Sequence, residues 1–99
     1  MADLLIFEFT APEAVELYHQ VNALLGVDPS SDASDWPAGM LNHQAGEDGD
    51  RLVVVESWQS REAQEDFMST RLGPALSKAD VPPPTRVAWF SQVGGWQRG

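Results

Sequence analysis

Leu52-Val53-Val54-Val55-Glu56-Ser57-Trp58 is the stretch on which the fold turns. It is rich in β-branched residues and ends in an aromatic, the composition of a strand. Alternation sends Val53 and Val55 to one face, and Leu52, Val54, Glu56 and Trp58 to the other. Both faces are therefore largely apolar, and a strand of that kind is covered on both sides.

Working outward, residues 39–45 form a second strand candidate. The turn Gly46-Glu47-Asp48-Gly49-Asp50 joins the two as a β-hairpin. Residues 4–9 make a first strand, with Leu5, Phe7 and Phe9 on one face and Leu4, Ile6 and Glu8 on the other. Residues 85–93 make a last one. Thr10-Ala11-Pro12-Glu13 has the form of a helix start, with Thr10 as cap, Pro12 in the first turn and Glu13 three residues on. Ala14, Leu17, Tyr18, Val21, Leu24 and Leu25 follow at helical spacing up to a stop at Gly26. Ser60 caps a second helix, with Ala63, Phe67 and Met68 on its buried side. Gly73-Pro74 predicts a break, residues 72–79 a further turn or two, and Pro82-Pro83-Pro84 a stiff connector.

The order β-α-β-β-α-β with right-handed crossovers predicts an α+β, ferredoxin-like fold with a four-stranded antiparallel sheet. Helices would cover one face of the sheet and leave the other bare. A second copy of the chain is the economical cover, so the expectation is a homodimer that closes into a dimeric α/β barrel. The 99 residues amount to one domain, 1–99, with an acidic loop at 27–38 and a tail at 94–99.

Fifteen acids against six bases give a net charge of −9. Such a chain is repelled by phosphate backbones and anionic lipid, so no nucleic-acid or membrane partner is expected. The absence of cysteine excludes disulfides, thiolate zinc sites, iron–sulfur clusters and cysteine nucleophiles. It favours a cytoplasmic location, and the first residues do not have the pattern of a signal peptide. There is no phosphate-binding glycine loop and no nucleophile elbow, and two histidines on separate elements are too few for zinc.

At Val55-Glu56-Ser57-Trp58-Gln59-Ser60-Arg61-Glu62-Ala63-Gln64-Glu65-Asp66-Phe67 the chain resembles the antibiotic-biosynthesis-monooxygenase-like proteins of the dimeric α/β-barrel superfamily. The strand ends in an acidic residue, a serine and a tryptophan, and the helix after it carries Glu-Ala and an aromatic. Gly39-Met40-Leu41-Asn42-His43-Gln44-Ala45-Gly46 and Arg71-Leu72-Gly73-Pro74-Ala75-Leu76 resemble small bacterial members of the same group. The resemblance implies a cavity between sheet and helices. It also implies chemistry without metal or flavin on an aromatic or polyketide-like substrate, as oxygenase or as cyclase or isomerase. Haem-degrading relatives place a histidine where this chain has Met68, and an asparagine on a first strand that here has none. Aromatic oxygenases place an asparagine where this chain has Val54. These departures rank haem handling low and keep a non-catalytic ligand-binding or accessory protein as the alternative.

Within that frame His43 is the candidate for proton transfer, because imidazole titrates near neutrality. Hairpin pairing puts it near Val54 or Val55, within reach of the face that carries Glu56, the candidate partner base. Trp58 is expected as an aromatic wall for a planar substrate, with Tyr18 at a pocket edge and Phe67 also against the ligand. Trp36 would plug the pocket mouth or pack on a partner subunit. His19 falls off the apolar stripe and is assigned to the surface. Asn42 and Gln44 alternate away from His43. Asp28, Asp32 and Asp35 do not have calcium-loop spacing and are assigned to a solvated loop. Trp89 and Phe90 belong to core and interface, and Trp96 to the tail or to an arm over a second subunit. No cofactor is expected.

Overall fold

The computed structural model describes residues 2–31 and 34–98. Four strands, β1 (Asp3–Thr10), β2 (Met40–Asp48), β3 (Arg51–Trp58) and β4 (Arg86–Ser91), form one sheet in the order β2-β3-β1-β4. Every neighbouring pair is antiparallel. Helix α1 (Ala14–Leu25) connects β1 to β2, and α2 (Arg61–Phe67) with α3 (Gly73–Lys78) connects β3 to β4. Each crossover spans a strand of the other, which is the split βαβ, ferredoxin-like arrangement read from the element order.

The register decides which side chains share a face. Leu5 pairs with Glu56 and Trp89, Phe7 with Val54, and Phe9 with Leu52. Leu5, Phe7, Leu52, Val54 and Trp58 thus share the helix-covered face, where Ala14 and Phe67 complete the buried core. Burial of side chains this size contributes about 1.5–3 kcal/mol each. The opposite face carries Leu4, Ile6, Val53, Val55, Ala88 and Phe90, and no helix packs there.

The structure corrects the sequence reading at four places. The β2–β3 turn contains two residues, Gly49 and Asp50, rather than five. Gly49 has φ +63°, which suits the first position of a tight hairpin turn. β2 accordingly runs on to Asp48, and His43 moves from opposite Val54 or Val55 to opposite Glu56.

Thr10 is not a helix cap. It is the last residue of β1, paired with Arg51, so its extended backbone is used by the ladder. The chain then turns through Ala11, whose carbonyl accepts from Ala14 N–H at 3.1 Å, and the helix begins without a side-chain cap. Gly26 ends the helix at φ 76°, as expected.

Gly73-Pro74 does not break the second helical segment. A π-helical turn (Met68–Leu72) joins α2 to α3 without interruption. Proline has no N–H and crowds the carbonyl of the preceding turn, and a widened turn relieves both. The amide of Gly73 reaches back to the Met68 carbonyl. A β carbon on Gly73 would lie 2.8 Å from that oxygen, so the turn requires glycine. Ser60 caps α2 as predicted, accepting from Ala63 N–H at 3.1 Å. The strand at 85–93 is shorter than expected, ending at Ser91.

Candidate functional site

Between sheet and helices lies an apolar cavity of about 120 Å³. A cavity of about 150 Å³ takes a benzene ring, so this one is on the scale of a single ring. Phe7, Phe9, Leu17, Val21, Leu52 and Val54 make much of its wall. The described lining also includes Tyr18, Asn22, His43 and Glu56, and no arginine or lysine.

Three of these polar side chains form one hydrogen-bonded chain. Tyr18 Oη lies 2.6 Å from His43 Nε2, and His43 Nδ1 lies 2.9 Å from Glu56 Oε2. The other carboxylate oxygen, Oε1, accepts from Trp58 Nε1–H at 3.0 Å. Each member has a structural cause. Direct pairing across the hairpin puts His43 beside Glu56. Trp58 follows Glu56 by two residues on the same strand face. Tyr18 stands on the sheet-facing stripe of α1, its ring stacked parallel to His43 at 5.8 Å.

An ionised carboxylate only accepts hydrogen bonds, and Glu56 meets one donor on each oxygen. It therefore holds the proton of a neutral His43 on Nδ1 and leaves Nε2 to accept from Tyr18 O–H. When His43 gains a proton, both ring nitrogens donate and Tyr18 Oη becomes an acceptor. The two states differ by one proton, handed in at the cavity side and balanced by a carboxylate that is only 5 % exposed. Burial pushes the Tyr18 hydroxyl above its ordinary pKa near 10. The Asn22 amide lowers it by a smaller amount and the Glu56 charge adds to the rise. Tyr18 is thus held as a neutral phenol, not as a standing phenolate.

Trp58 departs from its expected role. It is completely buried, does not line the cavity, and packs against Phe67 at 5.8 Å between ring centres. The bond from its indole N–H to Glu56 turns it into a support for the carboxylate rather than a wall for a ligand. Phe67 is buried in the core and also lines the cavity. The partly exposed aromatic side chains in the described lining are Phe9, Tyr18 and Trp36.

Trp36 reaches in from the loop and sits 5.0 Å from the His43 ring. The loop is tied down. Trp36 Nε1–H donates to the Ser31 carbonyl, and one nitrogen of Arg71 donates to the carbonyls of Leu25 and Asp35 and to the Asp35 carboxylate. Asp28 accepts from the amide and hydroxyl of Ser30, which lowers its pKa. Asp32 lies outside the described residues. No cluster among the described residues could hold a metal ion.

His19 is exposed and touches only the edge of Tyr18 among the described ring contacts. Asn42 and Gln44 face away from His43 and bond to each other at 3.3 Å. Trp89 pairs with Leu5 beneath the Arg61 guanidinium, Phe90 is exposed on the open face, and Trp96 is exposed in the tail. Sequence reasoning missed Asn22. The signal was present, because Asn22 interrupts the apolar stripe of α1 one turn after Tyr18.

No family profile matches the sequence, and no curated protein matches it. Solved structures do. A Chloroflexus aurantiacus protein provisionally described as an antibiotic biosynthesis monooxygenase superimposes with a TM-score of 0.71 at 18 % identity over the whole of both chains. Rv0793 from Mycobacterium tuberculosis gives 0.69 at 17 % identity, over 98 % of this chain and all of the other. SnoaB, a cofactor-independent oxygenase from Streptomyces nogalater, gives 0.67 at 13 % identity over 98 % of each chain. The chain has the fold of these three proteins, and identities at this level establish the fold alone.

Proposed function

We propose that this chain binds a small aromatic or polyketide-like molecule and takes a proton from it, as a cofactor-independent, monooxygenase-like enzyme. The observation that carries the reading is the Tyr18–His43–Glu56 chain, which ends on an apolar cavity. His43 and Glu56 are the catalytic pair, the one receiving the proton and the other balancing it. Tyr18, Trp36 and Phe67 contact the ligand. An electron-rich carbanion can react with dioxygen directly, so the protein needs to supply deprotonation and a dry site. Cyclisation and isomerisation begin with the same step. The non-catalytic alternative draws on Val54, which gives the cavity wall no polar atom at the β3 position where aromatic oxygenases place an asparagine.

The test is exchange chemistry. Phenylacetone, a single-ring ketone, carries in deuterium oxide an acidic benzylic C–H whose exchange NMR follows. The protein is expected to accelerate it, and oxygen uptake in the same solution separates oxygenase from cyclase or isomerase. Binding without any acceleration would leave the accessory role.

The same proposal includes a homodimer formed across the open sheet face. Val55 and Phe90 are 38 % and 45 % exposed there, beside Leu4, Ile6 and Ala88. A contiguous apolar patch on a sheet is a surface to be covered. Sedimentation equilibrium is expected to give the mass of two chains, and a single-chain mass at micromolar concentration would overturn the dimer. Among the described residues no helix is long and apolar enough to cross a membrane.

A further inference from the structure

Asn22 is 7 % exposed and lines the cavity, and its Nδ2, although near enough to the Tyr18 hydroxyl to lower its pKa, is a buried donor that completes no well-formed hydrogen bond. Leaving a buried amide unpaired is unfavourable, and native proteins do so rarely. The side chain gains nothing evident from its place in an apolar stripe. It lies one helical turn from Tyr18, so the unpaired donor and the proton-passing hydroxyl project from the same face of α1.

From this we infer that Asn22 is the polar anchor of the cavity, and that its ligand carries an uncharged acceptor oxygen on an aromatic ring, a ketone, quinone or phenol oxygen. The inference rests on the pocket reading above and narrows it to a substrate class. Three features select that class. The free group is a donor, so it calls for an acceptor. The rest of the described wall is mostly apolar, so it calls for a ring. Among the described residues no arginine or lysine lines the cavity, and a protonated His43 is already balanced by Glu56, so a carboxylate or phosphate ligand would find no free positive charge. An amide N–H on a ring ketone also makes the neighbouring C–H more acidic by drawing charge onto the oxygen. That places a polarised carbonyl close to the group that receives the proton.

The test uses two probes of nearly equal shape, acetophenone and α-methylstyrene, in which C=O is replaced by C=CH₂. Benzoate is the charged comparison. Affinities are read by NMR titration for the wild type and for Asn22→Leu, which keeps the side chain's size and removes its donor. The wild type is expected to prefer acetophenone and to bind benzoate at least tenfold more weakly. Asn22→Leu is expected to lose about tenfold in acetophenone affinity, the worth of one buried hydrogen bond, while α-methylstyrene binds as before. Its melting temperature without ligand is expected to rise, because the unpaired donor is gone. Asn22→Ala is expected to give the same ratio of affinities should leucine overfill the site.

Equal acetophenone binding by wild type and variant would overturn the anchor. If α-methylstyrene still bound, the cavity reading would survive that failure. A lowered melting temperature with no change in probe preference would make Asn22 a packing residue and overturn the anchor too. Benzoate binding as tight as acetophenone would overturn the uncharged class. Failure of the wild type to bind either neutral probe would overturn the cavity itself, and the anchor with it.

Discussion

Glu56→Ala is expected to destabilise the fold by about 2–4 kcal/mol, from two stranded donors at about 1–3 kcal/mol each less the relief of unburying a carboxylate. The two donors are Trp58 Nε1–H and His43 Nδ1–H, and the structure gives each of them only Glu56. Trp58 is wholly enclosed, so no water reaches its indole nitrogen without the core opening. A domain of this size has a total stability of about 5–15 kcal/mol, so the loss is a large share of it. Urea unfolding followed by tryptophan fluorescence measures the effect. Glu56→Leu with His43→Phe should recover part of the loss, because one of the stranded donors is removed with its partner. Equal destabilisation by Glu56→Leu alone and by Glu56→Leu with His43→Phe would show that the stranded His43 donor carries none of the loss.

The size of that loss depends on register, and register is where the sequence was only partly legible. The alternation in β3 was enough to place Leu52, Val54, Glu56 and Trp58 on one face, and the structure agrees. Element order was enough for the split βαβ topology. The partner of His43 was not legible, because it depends on the length of a turn. Gly46, Glu47 and Asp48 have turn-forming composition, but the ladder extends through them to Gly49. The longer ladder carried His43 one or two places along β3, from Val54 or Val55 to Glu56. Local composition and long-range pairing competed there, and pairing won.

The same competition explains Thr10 and Gly73. Thr10 has the chemistry of a cap, but it is held in the β1 ladder and the helix starts only after Glu13, which takes the cap position. Gly73-Pro74 has the chemistry of a break, but the segment's apolar side chains, Phe67, Met68, Leu72 and Leu76, still had to reach the cavity wall. A π turn keeps them there. Trp58 was misplaced for a different reason. Its identity predicted a large apolar surface, and only coordinates show whether that surface faces a ligand or the core. The hydrogen bond to Glu56 decides for the core.

Glu56→Gln provides the sharper test, because it should leave the fold standing and reverse the direction of the relay. Glutamine has one accepting oxygen and one donating nitrogen where glutamate has two acceptors. The oxygen is needed by Trp58 Nε1–H, which has no alternative. The amide NH₂ then faces His43 Nδ1, and the imidazole must move its proton to Nε2. That nitrogen now donates to Tyr18 Oη where before it accepted. Trp58, His43 and the new amide keep partners and the half-buried Tyr18 O–H alone loses its acceptor, so stability should change by about 1–2 kcal/mol at most. The proton path is blocked, however, because the nitrogen that received protons from Tyr18 already carries one. Enzyme-accelerated exchange of phenylacetone should fall by about 10²–10⁴, the usual contribution of a positioned base.

Two readouts separate this from simple damage. Nitrogen chemical shifts of the His43 ring report which atom bears the proton. The chain has a single tyrosine, so the rise of phenolate absorbance with pH reports Tyr18 alone. In the wild type that rise should come above the ordinary tyrosine value, because burial and the Glu56 charge both raise the pKa. In Glu56→Gln the charge is gone and a donor has been added to the oxygen, so the rise should shift to lower pH. The stability profile must agree in sign. A hydroxyl whose pKa is higher in the folded state keeps its full contribution below pH ~10 and loses it as pH climbs towards the folded value. The variant should therefore show the smaller alkaline loss. An unchanged Tyr18 titration, together with undiminished exchange, would mean that Glu56 does not set the direction of proton movement and that the relay is a structural hydrogen-bond chain.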